Sequence, residues 1–112
     1  MQADALAIFD AALKAANPYE AVLRHVSVED ESLLAAARNI FVVGAGKASA
    51  AMAAAVEHLL GDRITDGLVN VKYGHTVPLQ RIRLQECGHP VPDQAGVEGA
   101  QEIGNMVARA CR

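Results

Sequence analysis

The stretch Ile40-Phe41-Val42-Val43-Gly44-Ala45-Gly46-Lys47-Ala48 decides the fold. Ile40–Val43 is an unbroken run of β-branched and aromatic residues, short and apolar on both faces, which reads as a buried parallel strand. Gly44-Ala45-Gly46 then allows a tight turn and lets a ligand approach bare backbone. From about Lys47 to Leu60 the spacing becomes helical. Ala48, Ala51, Met52, Ala55, Val56 and Leu59 share one face, and their small side chains permit close packing on a sheet. Gly61 is a natural end to that helix. Strand, glycine turn and helix together form the anion-binding corner of an α/β domain, because the helix N-terminus offers unpaired N–H groups and a positive dipole end.

Downstream of this corner, Gly67–Tyr73 reads as a second strand, Thr76–Leu79 as a turn around Pro78, and Ile82–Glu86 as a third strand. Ile82 and Leu84 lie on one face of that strand, with Arg81, Arg83 and Gln85 on the other, an alternation that suits an edge. Cys87–Asp93 is an irregular loop with two prolines. A last helix is expected over Gln94–Arg109, with Val97, Ile103, Met106 and Val107 as its apolar positions. Upstream, Leu6, Phe9 and Leu13 mark an amphipathic helix over residues 3–16. Asn17-Pro18 ends it and starts a second helix, with Asn17 as the cap. Tyr19, Val22, Leu23 and Val26 form the apolar face of that second helix. Glu29-Asp30-Glu31 reads as a solvated turn, and Ser32–Arg38 as either a helix or a short edge segment.

The β-α-β unit implies a right-handed parallel crossover. The expected fold class is therefore α/β: a Rossmann-like three-layer sandwich with a small, mainly parallel sheet. The sheet is thin, and the chain stops after a helix where such a fold would continue with another strand. Residues 1–112 are accordingly expected to be a single partial domain, truncated from a longer protein or completed by a partner. The open sheet edge leaves room for a homo-oligomer.

Composition narrows the function. The 112 residues are 52% hydrophobic and 21% charged, ordinary for a soluble globular domain with a small core. A formal charge of -3 argues against nucleic acid or an anionic membrane as partner. With 4% aromatic residues and no Trp, base-stacking platforms are disfavoured. Cys87 and Cys111 make no metal-ligand spacing and read as reduced thiols. No apolar run approaches a membrane span, and Asp4 and Asp10 interrupt the N-terminus where a signal peptide would be apolar. The expected location is the cytoplasm.

Two familiar motifs fail at the glycine corner. A Walker A loop needs a glycine five residues before Gly46, where Phe41 stands, and Ser or Thr after Lys47, where Ala48 stands. The dinucleotide pattern is met by Gly44 and Gly46, with Ser49 at the third place. Its ribose-binding acid is absent, because the second strand ends Val71-Lys72-Tyr73, and Asp66 precedes that strand. What remains is a cationic corner. A lysine in the first helical turn opposes the macrodipole, and a local rule broken in this way often marks function. Lys47 either contacts an anion or points outward into solvent.

Ligands of open α/β sheets bind beyond the carboxyl ends of the strands. That rule brings Lys72 and His75 from the second strand end, and His89 and Asp93 from the third, toward Lys47. Each has a plainer reading. Lys72 can be surface charge, and His75 can cap its turn. His89 can be part of a loop fixed by Pro90 and Pro92, and Asp93 the N-cap of the last helix. Metal binding by His75 and His89 lacks a third ligand.

The runs Val42-Val43-Gly44-Ala45-Gly46-Lys47-Ala48, Met52-Ala53, Val71-Lys72-Tyr73-Gly74-His75 and Glu86-Cys87-Gly88-His89-Pro90-Val91-Pro92-Asp93 resemble, in order and spacing, the N-terminal domain of the MOFRL-type glycerate 2-kinases. The resemblance spans nearly the whole chain from about residue 3. It implies a two-domain enzyme several times longer that phosphorylates D-glycerate at the 2-hydroxyl, using ATP and Mg. The active site would lie in a cleft between this Rossmann-like domain and a C-terminal domain. Many members carry the name hydroxypyruvate reductase, which the absent ribose-binding acid does not favour. The resemblance implies Lys47 as the catalytic contact to substrate or transferred phosphate, with Gly44, Gly46, Lys72, His75 and His89 at phosphate- or substrate-binding positions. This chain lacks the family's later Ser-Gly-Gly-Gly-Ser loop and second domain, so it is expected to be inactive alone. An NAD(P)-dependent hydroxypyruvate reductase and a non-catalytic anion-binding module are the alternatives.

Overall fold

The apolar run at Ile40 continues through the first glycine. In the computed structural model of the protein, which describes every residue except Ser27, Asp30 and Glu31, β1 spans Ile40–Ala45. The sheet is completed by β2 (Ile64–Lys72) and β3 (Ile82–Cys87) in the order β1-β2-β3, and both pairings are parallel. β2 is central and buried along most of its length, as its Leu-Val-Asn-Val segment requires. It starts at Ile64, earlier than the Gly67 expected from sequence. Between the pairs Ile40–Ile64 and Phe41–Asp66 the register slips by one residue at Thr65, whose hydroxyl accepts from the Ile40 N–H at 3.1 Å. This bulge keeps Ile64 in the core beside Ile40.

Around the sheet lie α1 (Gln2–Ala15), α2 (Pro18–His25), α3 (Leu33–Ala36), α4 (Ser49–Leu60) and α5 (Gln94–Ala110), with a short 3-10 turn at Gly61–Arg63. The α2 start is as expected, with Pro18 at its first position and Asn17 Oδ1 accepting from the Glu20 N–H at 3.1 Å. The ambiguous segment resolves into α3, capped by Ser32. The acidic turn expected at Glu29-Asp30-Glu31 lies largely outside the described residues. Gly61 ends α4 with φ +50.

The sheet is covered on both faces. Ala50, Ala53 and Leu60 of α4 pack with Ile40, Ile64, Val69, Val71 and Ile82 in one core, and α2 packs on α4. Asn70 lies between Val69 and Val71 and points the opposite way, toward α5. The α4 face is the expected one in part: Ala55 is buried and Val56 and Leu59 pack on the core, but Ala48 and Met52 are exposed, and Ser49, Ala50, Ala53 and Leu60 are buried as well. On α5, Val97 and Val107 are 47% and 44% exposed, while Gly99 and Met106 are buried and Ile103 is half-buried. The α5 face thus runs through Gly96 and Gly99, which let the helix approach the sheet closely.

β2 and β3 are parallel yet joined without a helix. Residues 73–81 return as a strap whose Val77 and Leu79 pack on the α4-side core. Glu57 of α4 ties the strap down by accepting from the N–H groups of Gln80 (2.7 Å), Arg81 (2.9 Å) and Ile82 (3.0 Å). Burial pushes the Glu57 carboxyl up, but these three N–H bonds and Arg81 outweigh it and hold the group below 4.5. Cys87 and Cys111 are free thiols, the first buried and the second exposed. No helix among the described residues is long and apolar enough to cross a membrane.

Candidate functional site at the carboxyl ends of the strands

The site is built on the turn between β1 and α4. Gly46 has φ +134, a conformation side chains disfavour, and no atom would meet a Cβ there. Its N–H donates to Asn70 O at 3.0 Å, so the turn is anchored to β2 and this N–H is spent. The Ser49 hydroxyl reaches both Gly46 O and Asn70 O, the latter at 3.2 Å, closing the turn from below. The helix begins at Ser49, later than expected. Lys47 therefore precedes the Ala48 N-cap and is exposed, rather than occupying the first turn. Ala48 has no side chain to cap the helix. The N–H groups of Lys47, Ala48 and Ala50 have no hydrogen-bond partner among the described residues.

Lys47 shares a groove of about 400 Å³ with Pro18, Ala48, Ala50, Ala51, His75, Thr76 and Val77. The groove is mostly apolar, with the lysine and the imidazole as its titratable groups. His75 is placed by a turn in which its N–H donates to Lys72 O at 3.0 Å and Gly74 sits at φ +74, the type II arrangement. His75 Nδ1 lies 3.0 Å from Tyr73 O. A carbonyl only accepts, so Nδ1 carries the proton and Nε2 of the neutral ring is left as an acceptor.

A second hollow of about 230 Å³ adjoins the same strand ends, lined by Ala45, Gly46, Asn70, Val71, Lys72, Cys87, Gly88 and His89. Gly46, Lys72 and His89 meet here, and Lys47 and His75 meet in the groove. The expected single cluster is thus two adjoining ones divided at the Gly46–Lys47 peptide. Gly44 stands apart. It lies inside β1, opposite Val69, and lines an apolar cavity with Val22 and Ser49.

Three residues that the sequence did not mark hold this edge together. Asn70 is 8% exposed, and its Nδ2 donates to Gly96 O at 3.0 Å. Its Oδ1 is buried without a hydrogen-bond partner among the described residues and faces Gly99, where a Cβ would stand 1.9 Å away. Tyr73 donates its hydroxyl to Asp93 Oδ2 at 2.8 Å, and Glu86 accepts from the Gly74 N–H at 2.7 Å. The only local signal for Asn70 was a polar residue in an apolar strand. Asp93 is the N-cap of α5, as one reading expected, with Oδ1 accepting from the Gly96 N–H at 3.0 Å. The Gly88 N–H, the Tyr73 hydroxyl and the Gly96 N–H all hold the Asp93 carboxyl below its ordinary range. The same contact with Asp93, ahead of burial, raises the Tyr73 phenol. Burial, with Asp93 nearby, raises the Cys87 thiol, so it is not an activated nucleophile.

The donor set is cationic and N–H-rich, suited to an anion with several oxygens. Among the described residues no group of three or more His, Cys, Asp or Glu is arranged to hold a metal ion. Asp66 pairs with Arg83 and Arg109 at the start of β2, away from the strand ends.

Known proteins resemble this chain in sequence and in fold. A glycerate 2-kinase of Pyrococcus horikoshii is 38% identical over 105 residues, covering 88% of this chain and 23% of the relative. An Agrobacterium vitis protein bearing the name hydroxypyruvate reductase is 44% identical over 96 residues, covering 86% and 20%. Among solved structures, a Pyrococcus horikoshii protein superposes with a TM-score of 0.79 at 36% identity, over 94% of this chain and 25% of that one. A glycerate kinase of Thermotoga maritima gives 0.75 at 32% identity, over 92% and 24%. The chain thus spans about a fifth to a quarter of the length of these relatives. The family DUF4147, described as a domain of unknown function, matches residues 4–112. The chain belongs to that family, whose domain is the N-terminal domain of glycerate 2-kinase.

Proposed function

We propose that this chain forms one wall of a phosphoryl-transfer cleft, in a protein that moves phosphate from ATP to the 2-hydroxyl of D-glycerate. The observation that carries the reading is the Gly46-Lys47-Ala48 corner, where an uncapped helix start and an exposed ammonium stand beside an imidazole. The names of the kinase relatives supply the substrate and the kind of reaction.

Within that reading, Lys47 stabilises charge on the transferring phosphoryl group, a positioning and electrostatic task. The free N–H groups at Lys47, Ala48 and Ala50 bind its oxygens. His75 Nε2, left as an acceptor, takes the proton from the 2-hydroxyl. Lys72 and His89 orient the carboxylate or a second phosphate from the neighbouring hollow. ATP, when bound, supplies the phosphoryl group, and the cationic set fits its phosphates. The described residues offer no carboxylate cluster for Mg, so no step here passes through the metal. The protein acts in the cytoplasm, with the rest of the polypeptide forming the opposite wall.

The reductase reading is weaker because β2 ends on Lys72, where a dinucleotide site would present an acid. Supplying the full-length protein with glycerate and ATP, and separately with hydroxypyruvate and NAD(P)H, separates the two. ADP formation in the first is expected. Oxidation of the nicotinamide in the second, without ADP formation in the first, overturns the proposal. Lys47→Met should lower kcat by about 10²–10³-fold, the scale of losing one preorganised charge-stabilising group.

A further inference from the structure

Asp93 does more than cap α5. Its Oδ1 accepts from the Gly96 N–H, while Oδ2 accepts from the Tyr73 hydroxyl at 2.8 Å. Gly88 lies against the same carboxylate, since a Cβ there would stand 3.1 Å from Asp93 Cγ. Tyr73 belongs to the turn after β2, between Lys72 and His75, and its carbonyl is the contact that fixes His75 Nδ1. Gly88 precedes His89 in the loop after β3. One carboxylate therefore touches both loops that carry the candidate site's histidines. We propose that Asp93 and Tyr73 form a positioning clasp that locks the Lys72–His75 turn to the Gly88–Asp93 loop, setting the anion affinity of both clusters.

This inference rests on the anion-binding part of the proposed function, and its test separates the two. Neither Tyr73 nor Asp93 lines the groove or the hollow, so both are positioning residues. Tyr73→Phe removes only the hydroxyl. Asp93→Asn keeps an oxygen for the helix cap but loses the charged acceptor for Tyr73. In the full-length protein, inorganic phosphate is titrated while the His75 and His89 imidazole resonances are followed by NMR. Each variant is expected to weaken phosphate about fivefold, the scale of the net worth of one ordinary hydrogen bond. The double variant is expected to be no weaker than the worse single one, because both break the same contact.

Unaltered phosphate affinity in Tyr73→Phe overturns the clasp, as do additive losses or a wild-type protein that binds no phosphate. Should Asp93→Asn fail to fold, Tyr73→Phe alone decides the matter. Glycerate phosphorylation with phosphate binding indifferent to Tyr73 sinks the clasp and leaves the proposed function. Coupled weakening without glycerate turnover keeps the clasp and sinks that function.

Discussion

Two glycines show how differently one residue type can be constrained. At Gly46 nothing stands within 4 Å of where a Cβ would sit, and the demand is the backbone's, with φ +134. Gly46→Ala should cost about 1–3 kcal/mol of strain and shift the lysine corner with it. At Gly99 the backbone is helical and the demand is space, because a Cβ would strike Asn70 Oδ1 at 1.9 Å. Gly99→Ala should cost about 1–3 kcal/mol by overpacking, despite alanine's better helix propensity. Urea midpoints of both variants check this, and a Gly99→Ala protein as stable as wild type would refute the close approach. The first glycine was legible in the sequence because it sits in a strand–turn–helix frame. The second was not, because its partner lies on β2, distant in sequence, and a helical glycine carries no local mark of what it faces.

At the scale of elements, the three strands and the capped starts of α2 and α5 were readable, while the start of α4 and the rotation of helices were not. Asn17-Pro18 and Asp93 are local chemistry, and both caps form as expected. α4 is nearly all small and apolar, so its sequence has little contrast from which to read the buried row, and Met52 ended outward. The strap at 73–81 was equally hidden. It replaces a crossover helix, and what holds it is Glu57 on another element. The Glu57 carboxyl is held below its ordinary value of 4.5 in the folded chain. A depressed native value gives stability that is present above the unfolded value and lost as pH falls through the native one. The stability that Glu57 contributes should therefore fall away below about pH 4.5. Glu57→Gln should flatten that dependence, and Glu57→Ala should cost roughly 2 kcal/mol at neutral pH by stranding the three N–H groups. Urea midpoints between pH 3 and 7 measure both effects, and an unchanged acid slope in Glu57→Gln would assign it elsewhere.

The whole molecule is broader than its length requires. Its radius of gyration is 16.4 Å, whereas a compact domain of this size has about 13 Å. α1 accounts for much of the difference: it has no buried residue, and Leu6, Phe9 and Leu13 are 56–59% exposed. The sequence marked a helix there, and a helix forms, but an apolar spacing says only that a face is apolar, not that this chain covers it. The sheet has a similar openness, since β1 and β3 are both edges. α4 and α5 lie on opposite faces, and in doubly wound sheets such a change of face accompanies a reversal of strand order at the ligand crevice. Among these three strands the order does not reverse, and the lysine corner stands at the carboxyl end of β1, one of the two edge strands. Stability should be distributed to match. Phe9→Ser is expected to change the folding free energy of the 112-residue chain by less than about 0.5 kcal/mol. Met106→Ala, emptying a fully buried site between α5 and the sheet, should cost about 2–5 kcal/mol. Native-state hydrogen exchange should find the α1 amides opening far more readily than those of β2, because few apolar contacts must break. Amides in α1 as protected as those in β2 would mean that its apolar face is covered in solution, and the domain would then be more complete than its contacts indicate.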